Sequence, residues 1–80
     1  MLKGWEQKDQ ALEKLFEFPG FKKTMLFVNA VAAEATRQKH HPEMIVNFKT
    51  CLIRITTHDA GNTITEKDYK LAEAIDQISL

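Results

Sequence analysis

The sequence predicts an α+β domain: a four-stranded antiparallel sheet with two helices on one face, in the order strand–strand–helix–strand–strand–helix. Three observations predict it. Between Phe21 and Lys39 apolar residues recur at spacings of three and four, the period of an amphipathic helix. Residues 44–48 and 51–58 form two short runs, the second β-branched and alternating, as antiparallel strands do. Thr65 to Asp68 carries the start signals of a further helix.

Residues 3–18 are the most ambiguous stretch. Trp5 and the alternation of Leu12, Lys14, Phe16 and Phe18 favour a hairpin with its turn near Lys8-Asp9, while Gln10 to Leu15 are also good helix formers. Phenylalanines at i and i+2, just before Pro19-Gly20, favour strands, with a short helix as the alternative. Pro19-Gly20 ends that element, and Gly20 is an acceptable, weak N-cap for the first helix. Phe21, Met25, Val28, Ala32 and Ala35 make its expected apolar stripe, widened by Phe27 and Val31, with Lys22, Lys23, Asn29 and Glu34 opposite. His40, His41 and Pro42 stop it near Lys39.

The next strands run Met44–Phe48 and Cys51–His58. In the second, Cys51, Ile53, Ile55 and Thr57 share one face, and Leu52, Arg54, Thr56 and His58 the other. The turn at Lys49-Thr50 lacks Asn-Gly chemistry, so its type stays open. Asp59 to Asn62 reads as a loop. Thr65 at the N-cap and Asp68 at N3 resemble a capping box, and Ile64 and Tyr69 occupy the staple positions. Leu71, Ala72, Ile75 and Ile78 give the second helix its buried face.

Eighty residues, 1–80, make one domain. A chain this short buries only about 60% of its unfolded surface, so association into a dimer or tetramer is expected. Eleven basic residues balance eleven acidic ones, which argues against nucleic acid as a partner on overall charge. No apolar run approaches the roughly 20 residues that span a bilayer, and the first residues lack a signal-peptide core, so a cytoplasmic location is expected. Cys51, the single cysteine, excludes an internal disulfide and reads as a small buried hydrophobe.

The chemistry concentrates in the histidines. Two of the three stand together in His40-His41-Pro42; the third, His58, closes the β-branched run. Imidazole exchanges protons near neutral pH, with an unperturbed pKa of about 6.5. Pro42 biases His41 toward extended backbone, which points adjacent side chains apart. A third imidazole from a neighbouring strand would complete a compact acid–base site.

His40-His41-Pro42, Phe48 six residues after the proline, Thr57-His58 ten beyond that, and Asp68 on the following helix resemble the signature of the pterin-4a-carbinolamine (4a-hydroxytetrahydrobiopterin) dehydratases. Trp5, Phe16 to Pro19, Phe27-Val28, Ala32 to Glu34, Thr65 to Asp68 and Ala74 to Asp76 look like that family too, so the resemblance covers nearly the whole chain. Two positions depart from it. Thr36 stands where an acidic residue is usual, and Met44 where many members have tryptophan.

The resemblance implies a hydro-lyase that dehydrates a 4a-hydroxytetrahydropterin to quinonoid dihydropterin, in tetrahydropterin recycling, with no metal and no cofactor. It implies His40 and His58 as the acid–base pair and His41 as a substrate-positioning group. It further implies substrate contacts from Thr36, Pro42, Met44, Thr56, Thr57 and Asp68, with Asp68 either orienting His58, capping its helix, or both. Two competing readings accompany it. One is a catalytically silent relative acting as a protein-assembly or transcription-cofactor module. The other is a metal site built from the three histidines, for which adjacent ligands are awkward.

Overall fold

The structure, a computed structural model, describes residues 3–80; Met1 and Leu2, part of the segment read for a leader, lie outside the described residues. Four strands and two helices follow in the expected order: β1 (Glu6–Lys8), β2 (Ala11–Glu17), α1 (Phe21–Gln38), β3 (Glu43–Val46), β4 (Thr50–Ile55) and α2 (Glu66–Asp76). The strands form one antiparallel sheet in the order β1-β2-β4-β3, so β2 and β4 are central and β3 is an open edge.

β1 and β2 form the hairpin favoured from the alternation, with the turn one residue later, at Asp9-Gln10. Both residues have positive φ, 50° and 65°, which is the geometry of a type I′ turn whose twist matches the flanking strands. Gln10 is an unusual occupant, and the end of β4 and the residue after it support the turn from outside. The Thr56 hydroxyl donates to Gln10 O at 2.9 Å, and Arg54 Nη2 donates to the carbonyls of Lys8 and Asp9.

The buried face of α1 is Thr24, Phe27, Val31 and Ala35. The stripe has the expected period but is rotated from the expected one: Phe21 is 50% exposed and Ala32 is exposed, while Met25 and Val28 lie at its edge. Thr24 explains the shift. Its hydroxyl bonds Gly20 O and Phe48 O, so a polar residue sits on the buried face without an unmet hydrogen bond.

β4 alternates as expected, burying Cys51, Ile53 and Ile55 against the helices, but it ends at Ile55 rather than His58. The cause is the partner strand. Ile55 pairs with Leu12, and beyond it β2 runs into its turn. Thr57 therefore bonds Thr63, N to O at 2.9 Å, and His58–Ala60 coil into a single 3₁₀ turn. β3 is likewise shorter than the run to Phe48, because Asn47 N–H donates to Thr50 O and closes the turn there. Leu71, Ala72 and Ile75 of α2 complete a core with Leu12, Phe27, Val31 and the β4 residues, and Ile78 packs at its margin. Trp5 joins this core, its indole N–H donating to Asp76 Oδ2 at 3.0 Å. No helix among the described residues is long and apolar enough to cross a membrane.

Candidate active site

The C-terminus of α1 delivers His40 with a fixed backbone. Lys39 takes the left-handed conformation, φ 56°, and its N–H donates to Thr36 O, while His40 N–H reaches back to Ala35 O. This paired closure is the Schellman motif, which satisfies two of the helix's last carbonyls. Glycine usually occupies the left-handed position; here a lysine does. Beyond His40, His41 and Pro42 run on outside any regular element, and His41 is exposed.

The His40 ring turns inward, 11% exposed, and its Nε2 lies 2.5 Å from Oδ1 of Asp68, which is fully buried. Asp68 arrives there because α2 begins at Thr65. The Thr65 N–H donates to Asp68 Oδ2 at 2.7 Å, Lys67 N–H donates to the Thr65 hydroxyl, and the capping box read from the sequence is formed. Asp68 Oδ2 also accepts the Thr57 hydroxyl at 2.8 Å, and the Thr57 and Thr65 hydroxyls lie 2.6 Å apart. Each hydroxyl has one proton. With Thr57 donating to the carboxylate, Thr65 donates to Thr57, so the chain of hydroxyls has a single direction. One buried carboxylate thus takes three donors, from His40, Thr57 and the α2 backbone, and no buried side-chain polar atom among the described residues is left without a partner.

Asp68 therefore contacts His40 and not His58, while it caps α2, the other role the resemblance implies for it. His58 sits on the 3₁₀ turn, and its Nδ1 lies 2.9 Å from Oδ1 of Asn62. The reason is the early end of β4: with His58 carried onto the turn, its ring meets the loop residue four positions on.

Both rings open on one cleft of about 260 Å³, lined by Lys39, His40, His41, Thr56, Thr57, His58, Asp59 and Lys67. The cleft thus gathers all three histidines and two of the three threonines of the expected site, Thr56 and Thr57, with Asp68 bonded to both His40 and Thr57. Thr36, Pro42 and Met44 are not among its lining. The Thr36 hydroxyl donates to Ala32 O on the exposed side of α1, and Met44 packs against the core opposite Ile53. The threonines bring less hydrogen bonding than their position suggests. Thr56 spends its hydroxyl proton on Gln10 O and Thr57 on Asp68. Sequence reasoning missed Lys39, Asp59, Lys67 and Asn62. The stop of α1 pointed to Lys39 alone; nothing in spacing or periodicity singled out the others.

A second depression, about 470 Å³, is lined by Gln7, Asp9, Gln10, Thr63, Ile64 and Tyr69. It is larger but holds neither histidine nor a buried charge, so it lacks the means for proton transfer at neutral pH. Among the described residues no three His, Cys, Asp or Glu side chains converge in a way that would hold a metal ion. Cys51 is buried in the core, where loss of solvation raises its thiol above the ordinary range, away from thiolate chemistry.

Residues 1–78 match the sequence profile described as pterin 4 alpha carbinolamine dehydratase. A protein of Aquifex aeolicus that carries the provisional name pterin-4-alpha-carbinolamine dehydratase is 44% identical over 77 residues, covering 96% of this chain and 77% of that protein. One from Opitutus terrae, with the same provisional name, is 41% identical over 78 residues, 98% of this chain and 80% of that one. A crystal structure from Brucella melitensis described as a transcriptional coactivator/pterin dehydratase superposes with a TM-score of 0.87 at 30% identity, over 94% of this chain and 81% of that one. A pterin dehydratase-like RuBisCO assembly factor of the alpha-carboxysome shares the fold, with a TM-score of 0.73 at 22% identity over 90% of this chain and 82% of that one.

Proposed function

The chain belongs to the pterin 4 alpha carbinolamine dehydratase family, and from that premise we propose that it dehydrates a 4a-hydroxytetrahydropterin by histidine acid–base catalysis. The observation that carries this reading is the pair of imidazoles on one cleft, each held by a separate partner through one ring nitrogen. Elimination of water from this substrate needs two proton transfers. A proton goes to the C4a hydroxyl, the C4a–O bond breaks with its electron pair, and water leaves. The N5 proton is taken by a base, and the N–H electron pair becomes the C4a=N5 double bond of the quinonoid dihydropterin.

His40 is assigned as the base. Asp68 holds its Nε2–H, so the free nitrogen is Nδ1, and the buried carboxylate opposes the positive charge that His40 gains on accepting a proton. His58 is assigned as the acid toward the departing hydroxyl, and exposed His41 as a contact that positions the ring system. Thr56, Lys39 and Lys67 line the cleft and are assigned to the substrate's border, with Thr57 and Asp68 acting through His40. Each proton transfer contributes about 10²–10⁴ in rate. Stopped-flow dehydration of a synthetic 4a-hydroxytetrahydropterin tests the reading: it predicts turnover at least about a hundredfold above the uncatalysed rate. Folded protein that leaves the uncatalysed rate unchanged refutes it.

A second reading, a protein-binding module, has one observation in its favour. Ile45 and Val46 on the open edge strand β3 are exposed, and beside them Phe48, 65% exposed, stacks on Phe21. Such an edge suits pairing with a second copy of the chain, in keeping with the dimer or tetramer expected from its size. Light scattering of Ile45→Lys against wild type tests that association. A shift to monomer supports it, and unchanged mass refutes it.

A further inference from the structure

We propose that Asn62 is a positioning residue that holds His58 in its Nδ1–H tautomer and so presents Nε2 to the cleft; the inference rests on the dehydratase reading. His58 is exposed, on a 3₁₀ turn outside the sheet, where nothing in the ladder fixes its ring. Its one side-chain partner among the described residues is Asn62 Oδ1, at 2.9 Å from Nδ1. A carbonyl oxygen only accepts, so the proton sits on Nδ1, and Nε2 is the nitrogen left to exchange a proton with a ligand.

The backbone supports this assignment. Gly61 and Asn62 are consecutive left-handed residues, with φ 82° and 58°. Glycine would meet that requirement at either position, and a Cβ at Gly61 would meet no atom within 4 Å. Asn62 is the non-glycine residue most tolerant of this conformation that also carries a carbonyl on a short side chain. The turn thus aims an acceptor at His58, and backbone bonds secure the turn itself: Ala60 N–H donates to Thr57 O, Gly61 N–H donates to His58 O, and Thr57 and Thr63 each donate to the other's carbonyl.

The two imidazoles are then held in opposite senses. His40 is gripped at Nε2 by a carboxylate and leaves Nδ1 free; His58 is gripped at Nδ1 by a neutral amide and leaves Nε2 free. A carboxylate favours the ring that must gain positive charge; His58 acts as the imidazolium, giving its Nε2 proton to the departing hydroxyl and ending as the Nδ1–H tautomer that the neutral amide holds. The asymmetry matches the base and acid roles.

The test separates the amide from the turn. Asn62→Gly keeps the left-handed backbone and removes the acceptor; Asn62→Asp keeps both. Ring 15N shifts of His58, read at alkaline pH where imidazole is neutral, are expected to report the Nδ1–H form in wild type and Asn62→Asp. In Asn62→Gly they are expected to move toward the Nε2–H form. Turnover of Asn62→Gly is expected to fall about three- to tenfold, the worth of one ordering hydrogen bond. An Asn62→Gly protein with the wild-type ring shifts, or with altered shifts and unchanged turnover beside an active wild type, overturns the proposal. A wild type that does not turn over refutes the dehydratase reading instead, and the ring shifts still decide whether Asn62 sets the tautomer.

Discussion

Replacing Asp68 by asparagine removes a charge and adds two protons at a site built for three donors. The amide oxygen best serves the position of Oδ2, where the Thr57 hydroxyl and the Thr65 N–H converge. That choice turns the NH2 group toward His40 Nε2, 2.5 Å from the present Oδ1. Two donors then face each other, and the conflict is relieved when His40 moves its proton to Nδ1. The nitrogen that faced the cleft with a lone pair then carries a hydrogen. Turnover should fall by about 10²–10⁴, the range for losing a general base through the wrong tautomer. Stability should fall less. Three charge-assisted bonds weaken by about 1 kcal/mol each, offset by the desolvation cost that a neutral amide does not carry. The net is about 1–3 kcal/mol. Stopped-flow turnover and urea unfolding of Asp68→Asn measure the two effects. A variant destabilised by under about 1 kcal/mol with turnover near wild type would mean that Asp68 only caps α2, and the mechanism given for His40 would fail.

Other perturbations probe the same frame. Thr57→Val keeps the volume but removes one donor to Asp68 and the acceptor of the Thr65 hydroxyl; urea unfolding should show a loss of about 1–3 kcal/mol, and a loss below about 0.5 kcal/mol would contradict the hydroxyl chain. Lys39→Gly relieves a left-handed residue at the end of α1 and should raise stability by up to about 1 kcal/mol, or about 4–8 °C in Tm for a domain of this size. A lowered Tm would show that the Lys39 side chain contributes packing. Cys51, buried and with its thiol pushed up by desolvation, should resist iodoacetamide in the native protein and react on unfolding; rapid alkylation of native protein would place it elsewhere than the core.

Much of the fold was legible because its signals are local. The alternation in Cys51, Ile53 and Ile55 and the cap at Thr65 need no knowledge of distant residues, and both are formed as read. The rotation of α1 was not legible. It depends on Thr24 finding the carbonyl of Phe48, a contact across 24 residues that turns a polar side chain into a buried one. The end of β4 was hidden for a similar reason, since it is set by where its partner β2 begins to turn. At the site, residue types pointed to the three histidines, and the family resemblance added Asp68. They could not say which histidine meets the carboxylate, because that depends on His58 leaving the strand for a 3₁₀ turn, where its ring meets Asn62.

The central claim is that His40 and His58 are the two proton-transfer groups of one reaction. It is tested most directly by stopped-flow dehydration of a 4a-hydroxytetrahydropterin with His40→Ala and His58→Ala beside wild type. Each variant, confirmed as folded, should lose at least about a hundredfold in turnover. Either variant retaining wild-type turnover would remove that histidine from the chemistry and contradict the account.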